Sequence, residues 1–347
     1  MQETIWVVIP VYNAQHDVKR AVRAVQKQTY APLRIVLVDD GSKDRSPEIC
    51  DALAAQDARI RVVHQENGGS FAARKAGVLA CDAADGDYIC FCDADDRMPP
   101  HALQALYTAC SRFDADISLA VLTRIWHGLR LQKPAKGQPD LCIERKTFFE
   151  KYFCSWYGIT LMPVNLCGKL YRAPLIAAAY NAVPPGTTRF FGEDLVVTLN
   201  ACAAANRIVW IPDEVYDYRM GGGSSRYRPD MLREFIGLYR YKMAFSENHT
   251  APQDLRLLSD IELCNVTLSF CRTVMAEKAL TPQERRAVIG ESVRLPEILA
   301  AAEHVLASDY TEKTYARMIA QADVDAIERE AAPVGFVHKA LRRVLHR

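Results

Sequence analysis

Short continuous apolar runs take turns with amphipathic stretches over residues 5–122. Ile5-Trp6-Val7-Val8-Ile9, Arg34-Ile35-Val36-Leu37-Val38, Arg61-Val62-Val63, Tyr88-Ile89-Cys90-Phe91-Cys92 and Asp116 to Leu122 read as strands, rich in β-branched and aromatic residues. Between the first two, Val18, Ala21, Val22 and Val25 recur on one face of a helix. Further helices are predicted from Ser46, as a cap, through about Gln56, over Ser70 to Ala80, and from Pro99 to about Cys110. Strands that are apolar on both faces and alternate with helices predict an α/β domain, its mostly parallel sheet covered on both sides.

Past residue 122 the pattern loosens. Gly128 to Asp140, with Pro134, Gly137 and Pro139, reads as a loop or hairpin, and residues 145–218 mix helix and strand. Gly221-Gly222-Gly223-Ser224-Ser225 reads as a flexible loop, because three glycines are costly to hold in a helix. Residues 229–330 are mainly helical, with breaks at Pro252, Pro282 and Pro296. No run reaches the roughly 20 apolar residues a membrane-spanning helix needs. Tyr152 to Gly168, which carries no charge, reads as buried core or acceptor-pocket wall, the alternative being a segment that touches a membrane.

Polar clusters fall just after three strands: Pro10-Val11-Tyr12-Asn13, Asp39-Asp40-Gly41-Ser42 and Asp93-Ala94-Asp95-Asp96. Open α/β sheets bind ligands outside the carboxyl ends of their strands, so the three clusters are expected to converge. Three carboxylates in four residues repel one another; a hard cation such as magnesium or manganese would compensate them, whereas a helix cap would need only one. Asp39-Asp40-Gly41-Ser42 is either a plain turn or, with Tyr12 stacking on a base, a grip for a nucleoside. Asn67-Gly68-Gly69-Ser70 opens a helix where glycines allow close backbone approach and the N-terminus favours anions. Neither a P-loop nor a GxGxxG fingerprint occurs.

These segments carry a resemblance. VVIPVYN (7–13), VDDGSKD (38–44), ENGGSFAARKAG (66–77) and GDYICFCDADD (86–96) are similar to glycosyltransferase family 2. Leu166 to Arg172 resembles that family's "NKLYRR" stretch, Phe191-Gly192-Glu193-Asp194 its "ED" motif, and Tyr216-Asp217-Tyr218-Arg219 with Ser224-Ser225 its "YYR…S". The resemblance spans residues 4–226. It implies a GT-A fold (Rossmann-like) over 1–228, with a nucleotide-binding half 1–98 and an acceptor-binding half 99–228; the sequence pattern, without a family signature there, adds a helical C-terminal extension at 229–330 and a tail at 331–347.

The resemblance also implies roles. Pro10, Tyr12, Asp39 and Asp40 would hold the nucleoside, usually uridine, and Arg74 would close on the nucleotide. Asp93 and Asp95 match the DxD motif, with Asp95 on a divalent metal and Asp93 nearer the ribose and sugar. Asp194 would be the general base, with Glu193 beside it holding the acceptor; Arg219 and Arg226 would face the diphosphate. Gly168 departs from the family, which often has Asn or a bulky residue before the lysine, here Lys169. The implied activity is metal-dependent, inverting hexosyl transfer from a UDP-sugar to a glycan or lipid-linked glycan, in bacterial surface polysaccharide or lipopolysaccharide synthesis. A nucleotidyltransferase or a non-catalytic nucleotide-sugar-binding module are the competing readings. The first lacks a Gly-rich, Lys/Arg-bearing loop after the first strand; the intact Asp93, Asp95 and Asp194 argue against the second. Ordering of the Gly221–Gly223 loop over bound nucleotide would exclude water.

Composition narrows the partners. The chain has 347 residues with 43 Lys/Arg against 42 Asp/Glu, which disfavours nucleic acid as a ligand. Half the residues are hydrophobic, too many for a disordered chain. The last 17 residues hold four Lys/Arg and no acid, leaving 39 against 42 in the rest. With Val337, Leu341, Val344 and Leu345 on one face, that tail reads either as a packed terminal helix or as a basic amphipathic helix for an anionic membrane surface. Eleven scattered cysteines without a CxxC pair predict free thiols in a reducing cytoplasm. The N-terminus has no basic segment ahead of its apolar run, so no signal peptide is expected. The expected location is cytoplasmic, with the tail able to reach the inner face of the membrane.

Overall fold

A computed structural model describes residues 3–126, 129–131, 138–188, 192–220 and 227–332. The Gly221–Gly223 loop, Ser224, Ser225, Arg226, Phe191 and the tail from residue 333 lie outside the described residues. The chain forms two compact units. The first comprises Met1–Trp156, Thr160–Gly222 and His249–Pro252; the second comprises Tyr157–Ile159, Gly223–Asn248 and Gln253–Arg347.

The first unit is built on strands β1 (Ile5–Val11), β2 (Leu33–Asp40), β3 (Ile60–Gln65), β4 (Tyr88–Phe91), β5 (Ile117–Leu119), β6 (Thr123–Trp126), β7 (Leu129–Arg130), β8 (Leu141–Glu144), β9 (Lys169–Arg172), β10 (Arg207–Trp210) and β11 (Asp217–Arg219). Its helices are α1 (Val18–Gln26), α2 (Ser46–Gln56), α3 (Ser70–Ala80), α4 (Ala102–Phe113), α5 (Arg145–Thr147), α6 (Ala173–Ala182) and α7 (Glu193–Ala204). Among the described residues, eight strands form one sheet in the order β3-β2-β1-β4-β9-β5-β10-β8. β1 runs parallel to both β2 and β4, β2 parallel to β3, and β5 parallel to β10. β9 is antiparallel to β4 and β5, and β8 antiparallel to β10. The sheet is therefore mixed, with its parallel pairs concentrated in the β3-β2-β1-β4 half, which is doubly wound. β2 and β3 lie on one side of β1 and β4 on the other, so a switch point falls between β1 and β4, the position at which open α/β sheets bind ligands.

The sequence patterns account for the core of this half. Val18, Ala21, Val22 and Val25 are all buried on α1, and Ile5, Val7, Val8, Ile35, Val36, Leu37 and Val38 are fully enclosed in the central strands. α2 and α3 have the expected bounds. Ser46 does not cap α2: it is the first helical residue, and its Oγ instead accepts the Ala14 N–H at 2.8 Å. α4 begins at Ala102 rather than Pro99. The strand expected to run through Leu122 stops at Leu119, and the Ala120 N–H bond to the Gly168 carbonyl adds one last rung beside β9. The chain then enters a second sheet, β11-β6-β7. Tyr152, Phe153, Cys154 and Trp156 are buried, as expected of a core segment, but Gly158, Thr160 and Leu161 of the same uncharged stretch are exposed.

The second unit carries α8 (Met231–Ser246), α9 (Leu255–Ala276), α10 (Pro282–Ser292), α11 (Pro296–Ala307), α12 (Thr314–Ala320) and α13 (Val324–Ala331). Prolines stand at the first position of α10 and α11, where a missing N–H costs nothing. No helix among the described residues is long and apolar enough to cross a membrane. All eleven cysteines are free, and nine are buried.

Candidate active site

The first two polar clusters interlock. Asn13 adopts a left-handed backbone (φ 49°), and its N–H donates to Ser42 Oγ at 3.0 Å, while its Oδ1 accepts the Lys43 N–H at 2.8 Å. The Gln15 N–H donates to Asp44 and its side chain accepts the Arg45 N–H. Pro10 is partly covered at the end of β1, and Tyr12 beyond it is 52% exposed. The two aspartates are not open in the same way. Asp39 is buried; it accepts the Ser42 N–H at 3.1 Å and lies 3.0 Å from His64 Nδ1. His64 also meets Asp51, and the two carboxylates push its pKa up. Asp40 is buried too. Its carboxylate accepts Gln65 Nε2 at 2.7 Å, the Gly68 N–H at 2.8 Å and the Gly69 N–H at 2.9 Å. Asp40 thus fixes the glycine loop that opens α3.

One turn into α3, Arg74 is 5% exposed and ties the remaining motifs together. Its Nη2 lies 2.5 Å from Asp93 Oδ1, its Nη1 bonds Glu193 Oε1, and Asp194 Oδ1 stands 3.8 Å away. Burial alone would weaken the guanidinium's hold on its proton, but Asp93, Glu193 and Asp194 outweigh it and raise its pKa. Arg74 Nε has no partner among the described residues. Glu193 is buried against Arg74. Asp194 keeps 38% of its side chain exposed, with its Oδ1 enclosed and without a hydrogen bond. Burial pushes its carboxyl up, to about 6. Arg74 opposes the shift; the charges of Glu193 and Asp93 reinforce it. Both carboxylates lie in the first turn of α7, behind Gly192 in a left-handed conformation.

The third cluster is acidic but not uniform. The Asp93 N–H donates to Tyr216 Oη at 2.9 Å. Asp95 forms no ion pair among the described residues; burial and the charge of Asp93 raise its pKa. Asp96 is 1% exposed: Oδ1 accepts the Arg219 N–H at 2.7 Å and Oδ2 has no partner. Burial, then Asp93, lifts its pKa to about 7. Asp96 therefore anchors β11, and Arg219 projects from that strand to Asp17 at 2.8 Å. Among the described residues, no three His, Cys, Asp or Glu side chains form a ready-made metal cage.

Residues 6–169, which carry Pro10, Tyr12, Asp39, Asp40, Arg74, Asp93, Asp95 and Asp96, match a known family, described as Glycosyl transferase family 2. Glycosyltransferase GlyG of Streptococcus pneumoniae serotype 4 is 44% identical over 252 residues, which covers 70% of this chain and 81% of that protein. The chain belongs to glycosyl transferase family 2. A second family relative, the uncharacterized glycosyltransferase EpsJ of Bacillus subtilis, is 30% identical over 253 residues, 70% of each chain. The crystal structure of Staphylococcus aureus TarS 1-349 in complex with UDP-GlcNAc is similar in fold: TM-score 0.65 at 18% identity, covering 94% of this chain and 90% of that one.

Within this glycosyltransferase, Arg74, Asp93, Glu193 and Asp194 are brought together directly, and Arg219 is joined to the acidic cluster through Asp96. Tyr12 and Pro10 remain at the rim, and Arg226 lies outside the described residues. Sequence reasoning missed Tyr216 and Asp96 as supports of Asp93 and Arg219. It also missed Asp17 as the Arg219 partner. Tyr216 stands in a motif that pointed to the site; nothing around Asp17 did.

Proposed function

We propose that this glycosyltransferase transfers a sugar, with inversion, from a UDP-sugar to a hydroxyl of a glycan or lipid-linked glycan acceptor in bacterial surface polysaccharide or lipopolysaccharide synthesis. The observation that carries this reading is the Arg74 junction. It sets the Asp93–Asp95 motif against Asp194, so a group bound at the one lies beside a carboxylate at the other. That TarS is found with UDP-GlcNAc in the same fold supports a uridine nucleotide. Tyr12 offers a ring face to the base, and the 99–228 half would receive the acceptor.

In this reading Asp194 takes the proton from the acceptor hydroxyl, and that oxygen attacks the anomeric carbon opposite the leaving group. The bond from that carbon to the diphosphate oxygen breaks, and its electron pair leaves with the diphosphate. The raised pKa of Asp194 suits a general base working near neutral pH. Arg219, and Arg226 by the family resemblance, would stabilise the departing charge. The residues also fit a divalent cation: Asp95 has no ion-pair partner among the described residues, and Asp96 Oδ2 is buried and unsatisfied beside it. Magnesium-like ions are commonly held by one or two carboxylates plus substrate phosphates, so the absence of a three-ligand cage does not count against this. Asp95, with Asp93, would hold manganese or magnesium, which supplies charge neutralisation for the leaving diphosphate. Arg74 already occupies one oxygen of Asp93, leaving Asp95 the principal ligand.

The test is a screen of nucleotide sugars for slow diphosphate release without acceptor, with and without manganese. UDP release from one UDP-sugar, abolished in Asp194→Asn while UDP still binds, is the expected result. Release of pyrophosphate from a nucleoside triphosphate plus sugar phosphate would instead identify a nucleotidyltransferase. Binding of UDP-sugars with no turnover in the presence of any glycan acceptor would identify a binding module.

A further inference from the structure

Asp17 stands at the start of α1, where an aspartate ordinarily accepts a free N–H of the first turn. Its side chain makes no such bond. Each of its oxygens takes an arginine instead: Oδ1 lies 3.0 Å from Arg20 Nη2, and Oδ2 lies 2.8 Å from Arg219 Nη2. Arg20 itself stands in the first turn of α1, beside Lys19, and that turn carries no acid. The field of a helix disfavours cations at its N-terminus, so helix formation does not account for an arginine there.

Both arginines are tied to consecutive residues of the acidic motif. Arg20 Nη2 also donates to the Asp95 carbonyl at 2.9 Å, and the Arg219 N–H donates to Asp96 Oδ1 at 2.7 Å. Arg97 and Asp217 exchange backbone bonds of 3.3 and 2.8 Å, which fix the start of β11 against the chain just after the motif. Neither guanidinium is used up by these contacts. Each spends only its Nη2; among the described residues, Nε and Nη1 of both have no hydrogen-bond partner, and the side chains are 41% and 42% exposed. One carboxylate between two guanidiniums leaves a net positive charge. Planar forks with free donors suit the oxygens of a phosphate.

We propose that Arg20 is a second cation for the leaving diphosphate, beside Arg219, and that Asp17 is the positioning residue that holds both guanidiniums at the Asp93–Asp95 motif. This rests on the donor being a nucleoside diphosphate sugar bound at that motif. Charge builds on the diphosphate as its bond to the anomeric carbon breaks. Donors held in place beforehand stabilise that charge without rearranging at the moment of reaction.

The test measures binding to the full chain of the diphosphate, monophosphate and bare nucleoside of the donor selected in the screen above, which are UDP, UMP and uridine on the present reading. Calorimetry with manganese is followed by ligand-detected NMR with EDTA, which reads the weaker affinities. Arg20→Gln is expected to weaken UDP about tenfold in both conditions, the size of one charge-assisted contact, UMP by less, and uridine by no more than about twofold. Arg20→Lys keeps the charge without the fork; it should lose about threefold for UDP, and it serves if the glutamine variant does not fold. Asp17→Asn should weaken UDP about threefold and leave uridine within about twofold. In its background Arg20→Gln should cost clearly less than it does in the parent, the coupling expected of residues in contact. Equal losses for uridine and UDP would mean that Arg20 only shapes the loop, and overturn the proposal. A loss confined to samples with manganese would put Arg20 to work on the metal through the Asp95 backbone, and overturns it as well. Tighter UDP binding by Asp17→Asn would make Asp17 a competitor of the diphosphate and end its positioning role. Parent-like UDP affinity in the Arg20 variants removes this proposal alone; a parent chain that binds no nucleoside diphosphate removes the donor reading and this proposal together.

Discussion

Arg74 Nη2 meets Asp93 Oδ1 at 2.5 Å, and the other arm of the same guanidinium bonds Glu193, joining the end of β4 to the start of α7. Both Arg74 and Glu193 are buried, so removing the cation leaves an uncompensated carboxylate in a poor solvent. Loss of one partner from a buried pair typically costs about 3–5 kcal/mol. Arg74→Met is therefore expected to lower the urea unfolding free energy by about that much. Adding Glu193→Gln should restore a large part, because the unpaired charge is then gone. If the double variant is as unstable as the sum of the singles, the pair is not the source of the loss.

Asp194 sets the pH dependence of turnover. Its carboxyl is pushed up to about 6 by burial, with Arg74 opposing, and a general base works only when ionised. The rate at saturating donor should therefore fall as pH drops through about 6, well above the ordinary aspartate range. The stability consequence has the opposite sense. A carboxyl whose folded pKa exceeds its unfolded value favours folding when protonated, and that contribution is lost as pH rises from the unfolded value through the folded one. Asp194→Asn should be inactive yet at least as stable as the parent at pH values above that window. A thermal melt that ranks the variant below the parent at alkaline pH would contradict this assignment.

The lines between what the sequence shows and what it hides follow contact distance. α1, α2, α3 and the central strands are legible because each repeats its apolar positions within one element. The strand-end placement of Asp39, Asp40, Asp93 and Asp95 follows from those elements. What each carboxylate does depends on groups far along the chain. Asp40 is consumed by Gly68 and Gly69 amides 28 and 29 residues away, and Glu193 is turned onto Arg74 across 119 residues. Ser46 looks like a cap because capping is local chemistry; its hydroxyl is taken by Ala14, 32 residues earlier. Lys169 could be singled out from its motif, but neither its burial nor its bond to Asn165 follows from composition or spacing.

α3 reaches the sheet through a glycine. A Cβ on Gly77 would lie 2.3 Å from Val8 Cγ1 and 3.1 Å from Val38 Cγ2, so the helix that carries Arg74 packs on β1 and β2 at backbone distance. Overpacking of this kind costs about 1–3 kcal/mol. Gly77→Ala should lose stability in that range and also lower turnover, since lifting α3 moves Arg74 away from Asp93. Val8→Ala makes room, so the double variant should be more stable than the sum of the single losses by about 1 kcal/mol or more, the coupling expected of residues in contact. Strict additivity in a urea-unfolding cycle would show that the close approach is not what limits the alanine.

The helical unit has its own buried carboxylate. Asp260 on α9 is fully enclosed; it accepts Tyr239 Oη from α8 at 2.6 Å and Arg256 Nε at 2.9 Å, and lies 2.6 Å from His304 Nδ1 of α11. One side chain thus fixes three helices at a common point. Asp254, at the start of the same helix, does a simpler job: its exposed side chain caps α9 by accepting the Leu257 N–H. Cap removal costs about 1 kcal/mol, whereas breaking a buried, charged network costs about 3–5 kcal/mol. Asp260→Asn is accordingly expected to lower the unfolding free energy of this unit well beyond Asp254→Ala, measured by chemical denaturation followed through helix circular dichroism. Equal losses from the two variants would mean that the network contributes no more than an ordinary helix cap.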